Sequence, residues 1–370
     1  MAFAPELPPS KSIANRVLVK RAVAGLTLPE IPSDWADDIH AMRRVLVSSE
    51  NVDAGEAGTA LRFGMAYAAA QEGRTTYLTG SRRLLERPIE PLVNALRAMG
   101  ASLDRVDDGW RIHGAQLRGG EVHLDASVSS QFESALRLIE PLMCKPLAIQ
   151  RQGHVVSSPY IALTEQLTVD HWPPPADWSN AIVWGMAAAM TSSAMTLKLT
   201  CDGLQGDEAW RYWGETLGLT WDGDVVHGKA SATHWQIELN DNPDLAQPIV
   251  AAAIGLRRRA TISGLSTLAH KEVNRLQAIC DMLDACAVPH EVEGATLTLD
   301  ATDAMLSDHH QVDVSGDHRM AMMWALLGLK TQVTLLGWES VAKSDPKFWS
   351  EWMRWCNAYQ HAKPTLMADN

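Results

Sequence analysis

Two runs in this chain are apolar on every side when wound as helices, WGMAAAM at Trp184–Met190 and IVAAAIG at Ile249–Gly255. A helix without a polar face has to be enclosed by other elements rather than laid on a surface. The fold must therefore hold helices in its interior. Six segments share this plan, each opening on polar residues and continuing in small apolar ones: 10–24, 57–70, 129–143, 177–190, 243–256 and 317–329. The unpaired N–H groups and positive dipole at a helix start favour an anion. Ordinary capping by Ser, Thr or Asp accounts for any one such start. Six together, most with a Lys or Arg nearby, point to a common anionic ligand.

Between these segments the chain repeats a second pattern of strand, polar loop, helix, strand, turn and strand. One copy begins at Thr76, with Pro88–Met99 as its helix and Asp107-Asp108-Gly109 as its hairpin turn. The others run from Leu197 to Gly228 and from Ala260 to Leu299. Uneven spacing excludes a solenoid and favours domains assembled from a few α/β units. A length of 370 residues leaves room for two domains.

Composition narrows the function. Apolar residues make up 46%, enough for a real core. No apolar run approaches the ~20 residues of a spanning helix, and the N-terminus lacks a basic-then-apolar signal pattern. The five cysteines, Cys144, Cys201, Cys280, Cys286 and Cys356, are scattered and form no CxxC, which argues against a disulfide framework or zinc site and for a reducing compartment. The histidines show no metal-ligand spacing, so no metal and no cofactor is expected. A net charge of −12 argues against nucleic acid as a partner. Anionic ligands would need locally gathered cations.

Such cations occur in motifs. Lys11, Ser12 and Arg16 open the first segment, with Lys11 and Asn15, and Ser12 and Arg16, at i,i+4 spacing. Gly58, followed by Arg62, permits close backbone approach to a ligand. Arg87 precedes Pro88, which suits a first helical position. Ser129, Ser130 and Gln131 offer hydroxyls and an amide for a phosphate; Ser157 and Tyr160 form a weaker polar site. Asp244 starts a very apolar helix, as a cap by default or as a general acid/base. Lys271 and Arg275 fall on one helical face beside Glu272, the pattern of a salt-bridged surface helix. Arg319 and Lys343 lie near presumed helix starts.

In order along the chain, PSKSxxNR, AGTALRF, LTGSxRLLERPI, SSQFxSAL, SxPYI, LQGD, PDLA, KExxRL, DHRMAM and AKSxPxFW resemble the 5-enolpyruvylshikimate-3-phosphate (EPSP) synthases, the 3-phosphoshikimate 1-carboxyvinyltransferases, from about Leu7 to Trp352. The resemblance implies an α/β fold of two similar domains. Each is built of three βαβαββ units with buried helices, an inside-out α/β barrel, around an active site in the interdomain cleft. By position the first domain would be 12–174 and the second 1–11 plus 175–370. The implied substrates are phosphoenolpyruvate and shikimate 3-phosphate, in a cytoplasmic monomer that contacts neither nucleic acid nor membrane. Lys11, Gly58, Arg87, Gln131, Arg275, Arg319 and Lys343 would surround phosphoenolpyruvate. Ser12 and Arg16 would take the shikimate carboxylate; Ser129, Ser130, Ser157, Tyr160 and Gln131 would take its phosphate and ring. Asp244 and Lys271 would meet the attacking hydroxyl, Asp244 and Glu272 would transfer protons, and Arg62 would support the loop of Gly58. Lys11, Lys271, Asp244 and Glu272 form the catalytic set. Glyphosate is expected to compete with phosphoenolpyruvate.

The pattern is not matched everywhere. The leading strand is curtailed, and the segment Leu28–Val52 is compressed. Glu56 stands where Asn is usual, Thr267 where Asn is frequent, Ala269 where a basic residue is frequent and Ser158 where Lys is usual. The sister transferases acting on UDP-N-acetylglucosamine carry a cysteine in the loop matching Ser81–Arg87, and none lies there. Two further functions are compatible with the sequence: the same chemistry on another acceptor, and anion binding without catalysis.

Overall fold

The computed structural model describes residues 2–48, 50–314, 316–359 and 366–368. Its contacts divide the chain into two compact units, Pro9–Pro174 and Met1–Pro8 with Pro175–Asn370. No helix among the described residues is long and apolar enough to cross a membrane.

In the unit of residues 9–174, one full βαβαββ copy runs through strand Asn51–Asp53, helix Gly58–Ala69, strand Thr75–Thr79, helix Glu90–Met99 and strands Ser102–Val106 and Gly109–His113. The first two strands pair in parallel, Val52 opposite Leu78, because a helix carries the chain back over the sheet. The last two form the hairpin, Leu103 opposite Ile112, and the strand 109–113 lies against 75–79 with Trp110 opposite Leu78. Leu78, Leu103, Trp110 and Ile112 are all buried. The helix begins at Glu90 rather than at Pro88, after a separate short turn of helix, Arg82–Leu85. Prolines at 88 and 91 bracket that start; Pro91 takes the early helical position.

The other copies in this unit are shorter. Helices Lys11–Val23 and Asp37–Val47 precede the full copy with no strand of their own among the described residues. After it come strand Gly120–Asp125, helix Ser130–Ile139, strand Leu147–Gln152 paired in parallel with 120–125, and helix Pro159–Gln166. No closing hairpin follows among the described residues.

The second unit repeats the full copy as strand His234–Glu238, helix Ala246–Gly255, strand Arg259–Ser263, helix Arg275–Ala285 and strands His290–Glu293 and Thr296–Asp300. The spatial order of its strands is the same, first, second, fourth, third. A second copy is led by Phe3, reduced to a single parallel bridge to Met195, followed by helix Trp178–Thr191 and strands Ala194–Thr196, Leu219–Asp222 and Val225–Gly228. Its expected second helix is mostly a 3₁₀ turn, Gly206–Trp213. The third has strands His309–Asp313, Gln332–Leu336 and Leu366–Ala368, all parallel, with helix His318–Leu327 between the first two.

The apolar helices are interior, as their sequence demands. Residues 178–190, 246–254 and 318–327 are buried without exception. Small residues let them approach: a Cβ at Gly185 would stand 2.9 Å from the Trp210 ring. Trp184 packs its helix among Phe3, Phe348 and Trp352, with ring centroids 5.9, 6.1 and 5.5 Å away.

Candidate active site

In the unit of residues 9–174, the starts of three buried helices carry the predicted anion-binding residues. Lys11 is the first residue of its helix, and its ammonium lies 3.0 Å from Asp38. Arg16, one turn on, is only 2% exposed. Its Nε donates to Thr164 Oγ1 at 2.7 Å, and its other nitrogens donate to the Ser12 carbonyl at 2.9 Å, the Tyr160 carbonyl at 3.2 Å and Ser134 Oγ at 3.3 Å. The rings of Phe63 and Tyr160 flank it. Every acceptor is neutral, and no carboxylate pairs with it among the described residues. Burial lowers its pKa to about 10, so it stays a cation at neutral pH. A buried cation held only by neutral groups suits an incoming anion.

Gly58 is the first residue of the second helix. A Cβ there would meet Arg87 Nη1 at 2.8 Å and Arg62 Nη1 at 3.1 Å, so the absence of a side chain is what lets both guanidinium groups approach. Arg62 donates to Gln131 Oε1 at 2.9 Å and to the Pro88 carbonyl at 3.1 Å, and lies over Phe132. Gln131 in turn donates to Thr59 at 3.3 Å. Gly58, Arg62, Arg87 and Gln131 thus form one cluster. Ser129 caps the third helix through the Gln131 N–H, and Ser130 is its first residue. Ser157 stands at the entry to helix Pro159–Gln166 with a left-handed φ of 53°. No hydrogen bond joins it to Ser129 or Ser130 among the described residues. Glu56 is exposed.

The second unit gathers its predicted residues more tightly. Asp244 Oδ1 lies 2.9 Å from Lys271 Nζ and 2.9 Å from Arg275 Nη1, and Oδ2 lies 3.5 Å from Arg319. Arg275 also meets Glu272 at 2.9 Å and Asp317 at 2.7 and 3.2 Å. Glu272 extends to Lys343 at 3.2 Å. Four cations thus surround three carboxylates. Burial would raise the Asp244 carboxyl, but Lys271, Arg319 and Arg275 hold it well below the usual aspartate range. Burial lowers the Lys271 ammonium, with Asp244 resisting and Arg275 assisting. Arg275 is raised despite its burial, by Asp317, Glu272 and Asp244.

This geometry corrects four local expectations. Asp244 is not a cap: it lies in a 3₁₀ turn, Pro243–Leu245, and its carboxylate faces cations. Lys271 and Arg275 do not share a helix, because the helix starts at Arg275 and Lys271 lies in the preceding bend. Their ion pairs are enclosed rather than on a solvated surface, with Arg275 1% exposed. Lys343, expected near a helix start, ends a 3₁₀ turn, Trp338–Lys343, and the helix that follows begins five residues on, at Phe348. Capping does account for the polar starts at Asp177, Ser129 and Asp317, which accept from Asn180, Gln131 and Arg319 N–H groups. Ser10, Ala57 and Leu245 make no side-chain cap.

The family model of EPSP synthase (3-phosphoshikimate 1-carboxyvinyltransferase) matches residues 33–170 and 170–352. The chain belongs to this family. A Bacteroides fragilis protein named 3-phosphoshikimate 1-carboxyvinyltransferase is 33% identical over 94% of this chain and 93% of its own length. One of the same name from Syntrophobacter fumaroxidans is 30% identical, covering 93% and 94%. The solved EPSP synthase of Acinetobacter baumannii shares the fold, with a TM-score of 0.66 at 18% identity over 95% of this chain and 96% of that one.

Within this EPSP synthase framework, three supporting residues gain a role that the sequence does not assign them, although Asp207 and Asp317 stand inside the LQGD and DHRMAM motifs. Asp38 reads as an ordinary acidic residue in a helical first turn and pairs with Lys11. Asp317 reads as a cap and is also the bidentate partner of Arg275. Asp207, in the LQGD motif, accepts from Asn242 Nδ2 at 3.0 Å and from the Ser179 hydroxyl, while the Ser179 carbonyl accepts from Arg319 at 3.0 Å. Asp207 thus ties the turn that carries Asp244 to the helix start that steadies Arg319. Burial raises its carboxyl pKa, and Asp244 adds to this.

Proposed function

We propose that this chain transfers the enolpyruvyl group of phosphoenolpyruvate to the 5-hydroxyl of shikimate 3-phosphate and releases phosphate. The observation that carries the reading is the cluster around Asp244. One carboxylate is held ionised by Lys271, Arg275 and Arg319, and a second, Glu272, bridges Arg275 and Lys343. Enolpyruvyl transfer by addition and elimination needs a base, an acid and fixed cations.

In this reading Asp244 accepts the proton of the attacking hydroxyl, beside Lys271. The oxygen adds to the carbon of phosphoenolpyruvate that bears the phosphate, while Glu272, entering this step as the protonated acid, delivers its proton to the methylene carbon. Phosphate then leaves the tetrahedral adduct, and the new methyl group returns a proton to a carboxylate, which restores the double bond. Arg275, Arg319 and Lys343 would stabilise the phosphoenolpyruvate charges, and Lys11, Gly58, Arg87 and Gln131 are assigned to the same substrate. Ser12 and Arg16 would hold the shikimate carboxylate, and Ser129, Ser130, Ser157 and Tyr160 the phosphate side. The product would feed aromatic biosynthesis, and the five free cysteines suit work in the reducing cytoplasm.

Purified protein mixed with both substrates should release phosphate, and omission of either should abolish release. Lys11→Ala should lower the rate by orders of magnitude. A folded protein that binds either compound but releases no phosphate with the pair would defeat the reading and favour another acceptor or a silent binding protein.

A further inference from the structure

Beside Asp317 the second unit contains a cavity of about 320 Å³. That volume reaches the lower range of small-molecule sites, roughly 300–1,000 Å³. Its floor is apolar, made by Ala278 and Met282 of helix Arg275–Ala285 and by Met320 and Trp324 of helix His318–Leu327. Strand His309–Asp313 forms one wall, and that strand is paired on one side only among the described residues. The His310 ring lies 5.3 Å from that of Trp324. Burial lowers the His310 pKa, with His309 assisting, so the imidazole is neutral at physiological pH.

The charge of the lining is one-sided. It contains the carboxylates of Asp281, Asp313 and Asp317 and no Lys or Arg. Asp317 is buried and paired with Arg275, so an anion would meet repulsion mainly from the exposed Asp281 and Asp313, and neither proposed substrate nor inorganic phosphate belongs here. A cation would gain from the exposed carboxylates of Asp281 and Asp313, and an apolar body from Ala278, Met282, Met320 and Trp324. Asp317 gives the cavity a consequence. The same carboxylate that lines it holds Arg275 at 2.7 and 3.2 Å and caps the helix that begins with His318 and Arg319.

We propose that this cavity is a second ligand site, for a small organic cation with an aromatic or aliphatic body, and that its occupancy reaches Arg275 through Asp317. The location and ligand class stand on the cavity alone; the effect on phosphoenolpyruvate rests on the transfer reaction proposed above.

The test uses the full chain and two probes of one shape and opposite charge, 2-phenylethylamine and 3-phenylpropionate, followed by calorimetric titration. The amine should bind with a Kd on the order of 1 mM, as its size allows, and the acid at least ~10-fold more weakly, one step of about 1.4 kcal/mol. Ala278→Leu, which fills the floor, and Asp281→Asn, which removes a charge from the exposed mouth, should each weaken the amine at least ~5-fold. Equal binding of both probes, or amine binding indifferent to both variants, would overturn the site. Titration of phosphoenolpyruvate with and without saturating amine tests the coupling. A shift of ~3-fold or more that disappears in Asp281→Asn supports it, and no shift overturns it. Because both readouts are binding, an absence of transferase turnover would refute the proposed reaction without touching this result.

Discussion

Replacing Asp244 with Asn isolates the base from the cation cluster that surrounds it. The substitution deletes one negative charge at 2.9 Å from Lys271, 2.9 Å from Arg275 and 3.5 Å from Arg319. Breaking a fully buried ion pair costs about 3–5 kcal/mol. Here the Asp244 side chain is 25% exposed, and Arg275 retains Glu272 and Asp317. The amide oxygen of Asn also still accepts a hydrogen bond, so the loss of stability should be nearer ~1–2 kcal/mol. Turnover should suffer far more, because loss of a positioned general base costs about 10²–10⁴-fold. Binding should move the other way. With one carboxylate gone the cluster is more positive, so KM for phosphoenolpyruvate should hold or fall. Phosphate-release kinetics at varied phosphoenolpyruvate, with urea unfolding alongside, would measure all three. A kcat within tenfold of the parent would sink the assignment; a raised KM with kcat preserved would make Asp244 an organiser of cations instead. The pH dependence adds a signed check. A carboxyl held below its ordinary value contributes stability above about pH 4 that is lost as pH falls towards its folded pKa. The stability gap between parent and variant should therefore be level from about pH 6 to 8 and shrink in acid.

Gly58→Ala should raise KM for phosphoenolpyruvate about 10–100-fold, the loss of one charged hydrogen bond, since its Cβ would force Arg87 Nη1 from 2.8 Å; an unchanged KM in steady-state kinetics would refute the role of the cluster. Asp207→Ala should lower kcat more than it alters KM and cost about 2–5 kcal/mol, because Ser179 and Asn242 lose their buried acceptor; Asp207→Asn, which keeps an acceptor, should recover part of both in the same assays. Burial, with Asp177, Glu351 and Glu6 nearby, pushes the Asp345 carboxyl up to about 7. A raised carboxyl contributes stability below about pH 4 that is lost as pH rises through 7, so Asp345→Asn should be the more stable form at pH 8, by about 2–4 kcal/mol, and should show a flatter profile between pH 4 and 8 in urea melts.

Much of the site was legible because its residues are local to helix starts. Lys11, Ser12 and Arg16 are visible from their spacing, and Gly58 and Arg62 from theirs. Where the backbone is irregular the same reasoning failed. Lys271 and Arg275 are at helical spacing, yet Lys271 lies outside the helix, because the 3₁₀ turn Ser266–His270 delivers it from another direction. Asp244 satisfies every local rule for a cap and does something else, because cations from residues 271, 275 and 319 reach it across the unit.

By itself the sequence determined the class of fold and the identity of the family. Helices apolar on all sides have to be interior, and motifs in a set order leave little freedom in either. It could not determine which carboxylate meets which cation. Asp207, Asp317 and Asp38 have the local signature of any surface or capping aspartate. Their partners stand 35, 42 and 27 residues away. Only the packed helices set those separations to within a few ångströms. Coulomb energy and desolvation both depend on such distances and on burial, neither of which is a property of residue order.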